Sequence, residues 1–176
     1  YNRIYFEQEK ERLDRKEFLP LSVIIGDING VKFVNDVFGY EEGDKLIIQT
    51  ANVLKNCCGD ADILARTGGD EFRILMPKTD RKEAYEMILK IKDACEEFNS
   101  RITSESSFIN ISLGCDTKTS ADENIDDIIK KAEDNMYKRK LLEQKSSHSS
   151  ILSSMKATMY ARSQETEEHA ERLADL

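Results

Sequence analysis

The sequence has no tryptophan, only two prolines and only two histidines among its 176 residues. No apolar run approaches the roughly 20 residues that a membrane-spanning helix requires. The four cysteines form no CxxC pair, and they are Cys57, Cys58, Cys95 and Cys115. This pattern argues against a disulfide scaffold. We therefore expect reduced thiols, a cytoplasmic location and no membrane contact within this segment.

Basic residues are fewer than acidic residues. Lysine and arginine number 26 against 34 aspartates and glutamates, which gives a formal net charge of -8. Such a balance disfavours broad electrostatic binding to nucleic acid. An acidic protein that binds a polyphosphate needs a cation between the two, so any such ligand would require a divalent metal ion.

The pattern of apolar residues predicts an α+β fold with a mainly antiparallel central sheet flanked by helices. Short runs rich in β-branched residues indicate strands, and apolar residues at helical spacing indicate amphipathic helices. Gly39 and Gly43 are expected to break the chain between two helices. The predicted strands cover residues 21–27, 63–66, 72–76 and 108–113; the predicted helices cover 2–17, 31–38, 44–54, 81–98 and about 125–136.

Acidic residues stand at two predicted strand ends. Asp27 ends the first strand, and Asp70 and Glu71 lie in a hairpin beside Gly68 and Gly69. Acids in turns are commonly just solvated turn residues. However, Mg²⁺ usually binds one or two carboxylates plus substrate phosphates, and paired glycines let the backbone approach a ligand. Neighbouring residues in an extended chain point to opposite faces, so one of the two hairpin acids should share a metal with Asp27.

These residues carry a family resemblance. Arg66-Thr67-Gly68-Gly69-Asp70-Glu71-Phe72 resembles the signature of the GGDEF family of diguanylate cyclases. Residues 27–36, followed by residues 38–40 and 43–44, are similar to that family's second long motif. The resemblance covers about residues 1–145. It implies the ferredoxin-like core shared by nucleotide cyclases and polymerase palms.

The resemblance also implies a metal centre. The side chain of Asp27, the backbone carbonyl of Ile28 and the acid Asp70 match metal-binding positions of the family. Either Asp70 or Glu71 would take the proton from the attacking 3′-hydroxyl. The implied cofactor is Mg²⁺ or Mn²⁺, with two ions in each half-site, which suits in-line displacement at phosphorus.

The implied substrate is GTP. Without the resemblance, the matching positions would be ordinary helix-boundary residues and solvated lysines. A carboxylate can accept from the N1 and N2 donors of guanine, and an amide can both donate and accept. No Walker-type phosphate loop is present in the sequence. The implied guanine contacts are Asn35 and Asp44, and the implied phosphate contacts are Lys32, Lys140 and the backbone at Gly68 and Gly69.

The implied activity is condensation of two GTP molecules into cyclic dimeric GMP with release of two pyrophosphates. One chain would offer half of the active site, so the enzyme would act as a homodimer. An alternative is a non-catalytic GTP-binding module that controls an attached cyclic-dinucleotide phosphodiesterase. A purely structural dimerisation domain is a third reading.

One further feature concerns regulation. The family often has an Arg-x-x-Asp product-inhibition motif before its signature, and here Gly59 takes the arginine position while Asp62 remains. Product inhibition is therefore expected to be weak or absent, since no guanidinium is present there to clamp the product.

The end of the chain resembles a different family. After a predicted helical linker over residues 146–163, residues 164–176 resemble the opening of an HD-GYP phosphodiesterase domain. Glu165 and His169 are spaced to lie on one helix face. We expect an incomplete HD-GYP-like domain here, with more of it downstream and a sensor upstream in a longer parent protein.

Overall fold

The computed structural model describes residues 1–102 and 107–143. Its compact units are Tyr1–Arg139 and Lys140–Leu176. The predicted linker at 146–163 and the HD-GYP-like start at 164–176, with Glu165 and His169, lie outside the described residues.

The α-helices are α1 (Arg3–Leu13), α2 (Val31–Phe38), α3 (Tyr40–Cys57), α4 (Arg81–Arg101) and α5 (125–143), with a 3₁₀ turn at Lys16–Phe18. The strands are β1 (Leu21–Ile28), β2 (Ile63–Arg66), β3 (Glu71–Pro77) and β4 (Ile111–Lys118).

The strands form one antiparallel sheet in the order β2–β3–β1–β4. Helices α2 and α3 connect β1 to β2, and α4 connects β3 to β4, so two β–α–β crossovers interleave. This is the split β–α–β arrangement of ferredoxin-like folds. The predicted α+β fold with an antiparallel sheet is confirmed.

Strand β1 is buried on both faces, which explains its nearly continuous apolar sequence. Val23 and Ile25 belong to a core with residues of α1 and α5, whereas Ile24 and Ile28 belong to a second core with residues of α2, α3 and α4. Because side chains alternate along a strand, Asp27 lies on the same face as Val23 and Ile25. The sheet is therefore the middle of three layers.

Helix α1 ends earlier than predicted. It stops at Leu13 rather than near residue 17, and Asp14 leaves the helical conformation with ψ at 58°. The Asp14 carboxylate pairs with the ammonium of Lys118, which is buried at the end of β4. A buried cation needs a partner, so this contact holds the end of α1 against the sheet.

The predicted helix break at Gly43 is wrong, whereas the break at Gly39 is present. Gly39 has φ of 92° and separates α2 from α3, a conformation that favours glycine. Helix α3 instead runs through Gly43, which is buried within its first two turns. A glycine inside a helix costs about 1 kcal/mol relative to alanine, which surrounding packing readily outweighs.

Candidate functional site

Asp27 and Glu71 form a cross-strand pair. They are direct partners in the β1–β3 register, at the end of β1 and the start of β3. Opposite residues in an antiparallel pair point to the same face, with Cβ atoms about 4.5–5.5 Å apart. Both side chains are half-buried. The register thus brings two carboxylates together on the sheet face that α1 and α5 cover.

Asp70 lies in the hairpin loop next to this pair. Its backbone carbonyl accepts a hydrogen bond of 2.9 Å from the N–H of Ile28. The bond ties the end of β1 to the loop, so Asp27, Ile28 and Asp70 are neighbours, as the predicted metal site requires. Glu71 is the hairpin acid that faces Asp27 directly, and the assignment of Asp70 as metal ligand stays a prediction.

Side-chain and backbone hydrogen bonds hold the loop that contains Gly68 and Gly69. The Arg66 guanidinium donates to the carbonyl of Gly69 at 3.1 and 2.7 Å. The N–H groups of Thr67 and Gly68 donate to the Glu71 carbonyl at 3.0 and 3.4 Å. Gly68 and Gly69 are both exposed. The loop can therefore present backbone to a ligand without a side chain in the way.

Glu71 is held ionised by its neighbours. Burial acts to raise the pKa of its carboxyl group, but hydrogen bonds from Thr67 and Arg73 and the positive charge of Arg73 outweigh it, so the pKa is lowered. The Thr67 hydroxyl and the Arg73 Nε both bond Oε1, the latter at 2.9 Å. Arg73 also donates to Glu133 of α5 at 2.8 Å.

The sequence alone did not predict the residues that surround Glu71, which are Arg73, Thr67 and Glu133. Arg73 could have been found, because it lies two residues after Glu71 on the same face of an otherwise apolar strand. Its half-buried position then requires a carboxylate partner. Glu133 offers no such pattern, since it is 60 residues away from Arg73 in the chain.

Removing the Arg73 charge should destabilise the protein in a pH-dependent way. A lowered pKa in the folded state means that ionised Glu71 stabilises the fold above the ordinary glutamate pKa, and that this is lost as pH falls through the lowered value. The deficit of Arg73→Met should therefore be largest at neutral pH and shrink below about pH 4. Urea unfolding between pH 3 and 7 with a chelator present measures it.

Lys82→Met is the control for this experiment. Lys82 is exposed, and its Nζ atom pairs with the exposed carboxylate of Glu86 at 3.6 Å. Its effect should stay within about 0.5 kcal/mol across the pH range. An Arg73→Met deficit that is the same at pH 3.5 and pH 7 would contradict the account.

Asn35 and Asp44 lie on the two helices α2 and α3, which pack against each other. Asn35 is half-buried on α2, and Asp44 is exposed on α3 directly after Gly43. A Cβ placed on Gly43 would lie 1.8 Å from the Asn35 Oδ1 atom. The absence of a side chain at Gly43 therefore lets the Asn35 amide lie against α3, beside Asp44. Their role as guanine contacts stays a prediction.

Gly43→Ala should separate ligand recognition from stability. Alanine favours a helix interior by about 1 kcal/mol over glycine, and the atom it meets is the end of a flexible side chain that can move. The unfolding free energy should stay level or rise slightly. The displaced Asn35 amide should weaken GTP binding about tenfold, as expected when a hydrogen bond is lost. Calorimetry and thermal unfolding measure the two effects.

Gly59→Ala is the matched control, because a Cβ there meets its nearest atom, Asp62 Oδ2, at an ordinary 3.5 Å. It should leave GTP affinity unchanged. Unaltered GTP affinity in Gly43→Ala would show that Asn35 does not contact the base.

The predicted phosphate contacts Lys32 and Lys140 belong to different parts of the chain. Lys32 is exposed on the first turn of α2, whose N-cap residue Gly30 makes no side-chain capping bond. The first N–H groups of a helix lack intrahelical acceptors, which favours an anion at that end. Lys140 belongs to the second compact unit. Its proposed contact with phosphate stays a prediction.

The acids fit a hard metal ion in their chemistry. Among residues 1–102 and 107–143, no three histidine, cysteine, aspartate or glutamate side chains converge to hold an ion by themselves. Mg²⁺ commonly binds through one or two carboxylates, with substrate phosphates and water completing its shell. Two paired carboxylates and a nearby carbonyl match that requirement.

Asp62, the remaining residue of the product-inhibition motif, is hydrogen-bonded to the backbone of the turn that contains it. Its carboxylate accepts a 2.7 Å hydrogen bond from the N–H of Gly59, and its own N–H donates to the Gly59 carbonyl at 3.1 Å. The side chain therefore stabilises the turn before β2.

The interleaved antiparallel sheet, with paired acids at one strand end and a glycine hairpin beside them, defines a ferredoxin-like α+β domain. A family model described as "Diguanylate cyclase, GGDEF domain" matches residues 1–146. The chain belongs to the GGDEF family. Within the described residues, no helix has the length and apolar character to cross a membrane.

Curated relatives point the same way. Diguanylate cyclase A of Treponema denticola is 28% identical over 127 residues, which cover 72% of this chain and 34% of that protein. A diguanylate cyclase of Vibrio cholerae is 28% identical over 121 residues, which cover 69% of this chain and 37% of that protein. The chain thus spans about a third of the length of these relatives.

Solved structures share the fold. The GGDEF domain of DgcB from Caulobacter crescentus, in complex with c-di-GMP, has a TM-score of 0.68 at 23% identity and covers 79% of this chain and 84% of that one. The active GGEEF domain of a diguanylate cyclase from Vibrio cholerae has a TM-score of 0.60 at 28% identity and covers 78% and 84%.

Proposed function

We propose that this domain condenses two GTP molecules into cyclic dimeric GMP and two pyrophosphates. The observation that carries the proposal is the register that sets Asp27 opposite Glu71, beside the Gly68–Gly69 loop. The diguanylate cyclase names of the relatives support it. Members of this family are generally dependent on a divalent metal.

Each half-reaction joins one GTP to the other. The 3′-oxygen of one GTP attacks the α-phosphorus of its partner, its proton passes to Asp70 or Glu71, and the bond to the β-phosphate breaks so that pyrophosphate leaves. A bound Mg²⁺ or Mn²⁺ pair, held by Asp27, the Ile28 carbonyl and Asp70, would neutralise charge on the phosphates. Thr67 and Arg73 keep Glu71 ionised, so its carboxylate can act as a ligand, whereas the lowered pKa makes it a weaker proton acceptor than an ordinary glutamate.

The rest of the site orients the substrate. Asn35 and Asp44 would hold guanine through its N1, N2 and O6 groups, and adenine lacks the matching donors. Lys32, Lys140 and the first N–H groups of α2 would contact the triphosphate. Since one chain supplies one GTP with one set of acids, two chains must face each other as a symmetric pair.

The direct test is to incubate the protein with GTP and Mg²⁺ and to measure cyclic dimeric GMP and pyrophosphate. The rate per protein chain should rise with protein concentration, because the active form is a dimer, and ATP should give no product. Clear GTP binding without product at high protein concentration would instead favour the non-catalytic regulatory module.

Product inhibition through the Asp62 site should be weak. Gly59 offers no guanidinium, and the Asp62 carboxylate is committed to the turn. Adding cyclic dimeric GMP to the assay should therefore give the same inhibition curve for wild type and Asp62→Asn. Inhibition that disappears in Asp62→Asn would show that the motif still works without its arginine.

The domain organisation is part of the proposal. We assign residues 1–145 to the cyclase domain and residues 146–163 to a helical linker. Residues 164–176 would begin an HD-GYP-like domain. The match of the family model to residues 1–146 supports the first of these boundaries.

A further inference from the structure

A concave site lies away from the acid pair, beside the edge strand β4. It is a cavity of about 730 Å³ between the start of α4 and the later turns of α5. Its lining is Arg81, Lys82, Tyr85, Cys115, Asn135, Lys138 and Arg139. Ligand pockets typically measure 300–1,000 Å³, so a small molecule fits this volume. We call it the basic pocket.

The charge of the basic pocket contrasts with that of the protein. Four of its seven lining residues are cationic and none is acidic, whereas the whole chain has a net charge of -8. Two acids stand next to it: Asp116 pairs with Arg81 at 3.2 Å, and Glu86 pairs with Lys82 at 3.6 Å. Even with both counted, positive charge is in excess.

The shape of the lining is set by contacts within the domain. The Arg139 guanidinium lies over the Tyr85 ring, 5.3 Å from its centroid, and the two side chains form a cation–π pair that we call the wall of the pocket. The Asn135 amide donates to the Cys115 carbonyl at 3.0 Å and fixes α5 to the edge strand. Burial raises the pKa of the Cys115 thiol, which therefore stays neutral and does not oppose an anion.

The basic pocket is separate from the acid pair. Cys115 is paired with Ile24 in the sheet, whereas Asp27 is paired with Ser112. The two positions are thus three residues apart along each strand, or roughly 10 Å. The pocket also opens between α4 and α5, which cover opposite faces of the sheet. A phosphate bound beside Cys115 would therefore lie roughly 10 Å from the acid pair.

From the cavity, its cations and its wall, we propose that the basic pocket binds a small phosphate-bearing ligand. Arginine and lysine bind phosphate through charge-assisted hydrogen bonds, and a tyrosine–arginine wall can stack against a base. The ligand chemistry is shared by pyrophosphate, GTP and the cyclic dinucleotide. The proposal does not depend on catalysis, because binding can be measured without turnover.

The test is a set of NMR titrations of the isotope-labelled chain with pyrophosphate, GTP and cyclic dimeric GMP, each with chelator in place of metal. Omitting metal prevents turnover and weakens polyphosphate binding at the acid pair. At least one ligand should shift the backbone signals of Tyr85 and Cys115 and the side-chain amide of Asn135. The ligand that shifts these signals identifies which of the three, pyrophosphate, GTP or cyclic dimeric GMP, the pocket binds.

Two double variants test the charges. Lys82→Glu with Lys138→Glu should weaken binding at least tenfold, since it reverses two charges that line the pocket. Lys55→Glu with Lys130→Glu makes the same charge change at exposed positions outside the pocket. That control should weaken binding less than threefold at moderate salt, where distant charges are screened. Thermal unfolding confirms that all variants fold.

Tyr85→Leu tests the wall. If a nucleotide binds here more tightly than pyrophosphate, the leucine variant should lose that advantage and keep pyrophosphate binding. The proposal is overturned if none of the three ligands shifts the pocket signals, or if the control double variant weakens binding as much as the pocket variant.

Discussion

Glu71→Gln should lower the rate of cyclic dimeric GMP formation at least about 100-fold while the domain stays folded. Glutamine keeps the size of the side chain and removes the charge that a proton or a hard cation requires, and general acid–base groups commonly contribute 100-fold or more. Asp27→Asn should cause a similar loss, because the two residues are cross-strand partners. Product and pyrophosphate release at saturating GTP measure both.

The double variant sharpens this prediction. Residues that act as one unit show strongly non-additive losses, so Asp27→Asn with Glu71→Gln should be little worse than either single change. Glu133→Gln is the matched control, since Glu133 also accepts from Arg73 but lies on α5 away from the strand ends. It should cost less than about threefold. If Glu71→Gln keeps more than a tenth of the activity, Glu71 has no direct part in the reaction.

The sequence allowed much of this site to be predicted, but not which hairpin acid faces Asp27. The alternation of side chains showed that Asp70 and Glu71 must point in different directions. Choosing between them required the register of β1 against β3, which runs from Leu21 opposite Pro77 to Asp27 opposite Glu71. Register depends on how the whole sheet packs between two helix layers, so a local pattern does not determine it.

The wrong break at Gly43 has a similar origin. Glycine usually weakens a helix, and the local pattern gave no reason to continue α3 through it. The reason lies on another element: the Asn35 side chain occupies the space next to Gly43. Contacts of this kind, like the bond from Arg73 to Glu133, join residues whose separation in sequence hides their relation.

Gly114→Ala should be the most destabilising single methyl addition among the glycines described. Gly114 lies in β4, and a Cβ there would stand 2.1 Å from the backbone nitrogen of Met136 and 2.5 Å from the carbonyl oxygen of Ala132. Both atoms belong to the backbone of α5, so the clash is relieved only by moving the helix off the sheet. The expected cost is about 3 kcal/mol.

A cost of that size corresponds to a melting temperature roughly 6–12 °C lower for a domain of this length. Thermal and urea unfolding followed by circular dichroism measure it. Gly69→Ala is the control, because a Cβ there meets no atom within 4 Å; its effect on stability should stay within about 0.5 kcal/mol. Equal stability of Gly114→Ala and wild type would mean that α5 does not lie so close to β4.

The contacts of Tyr1 bear on how two such domains can associate. Strand β2 is an outer strand of only four residues, and the Tyr1 backbone already bonds it, donating to the Leu64 carbonyl at 3.1 Å and accepting from the Arg66 N–H at 2.9 Å. An open strand edge invites another chain to extend the sheet, which leads to aggregation. With these bonding positions taken, a second chain cannot pair with β2 at Leu64 and Arg66, so the Tyr1 contacts protect this edge of the sheet from strand addition.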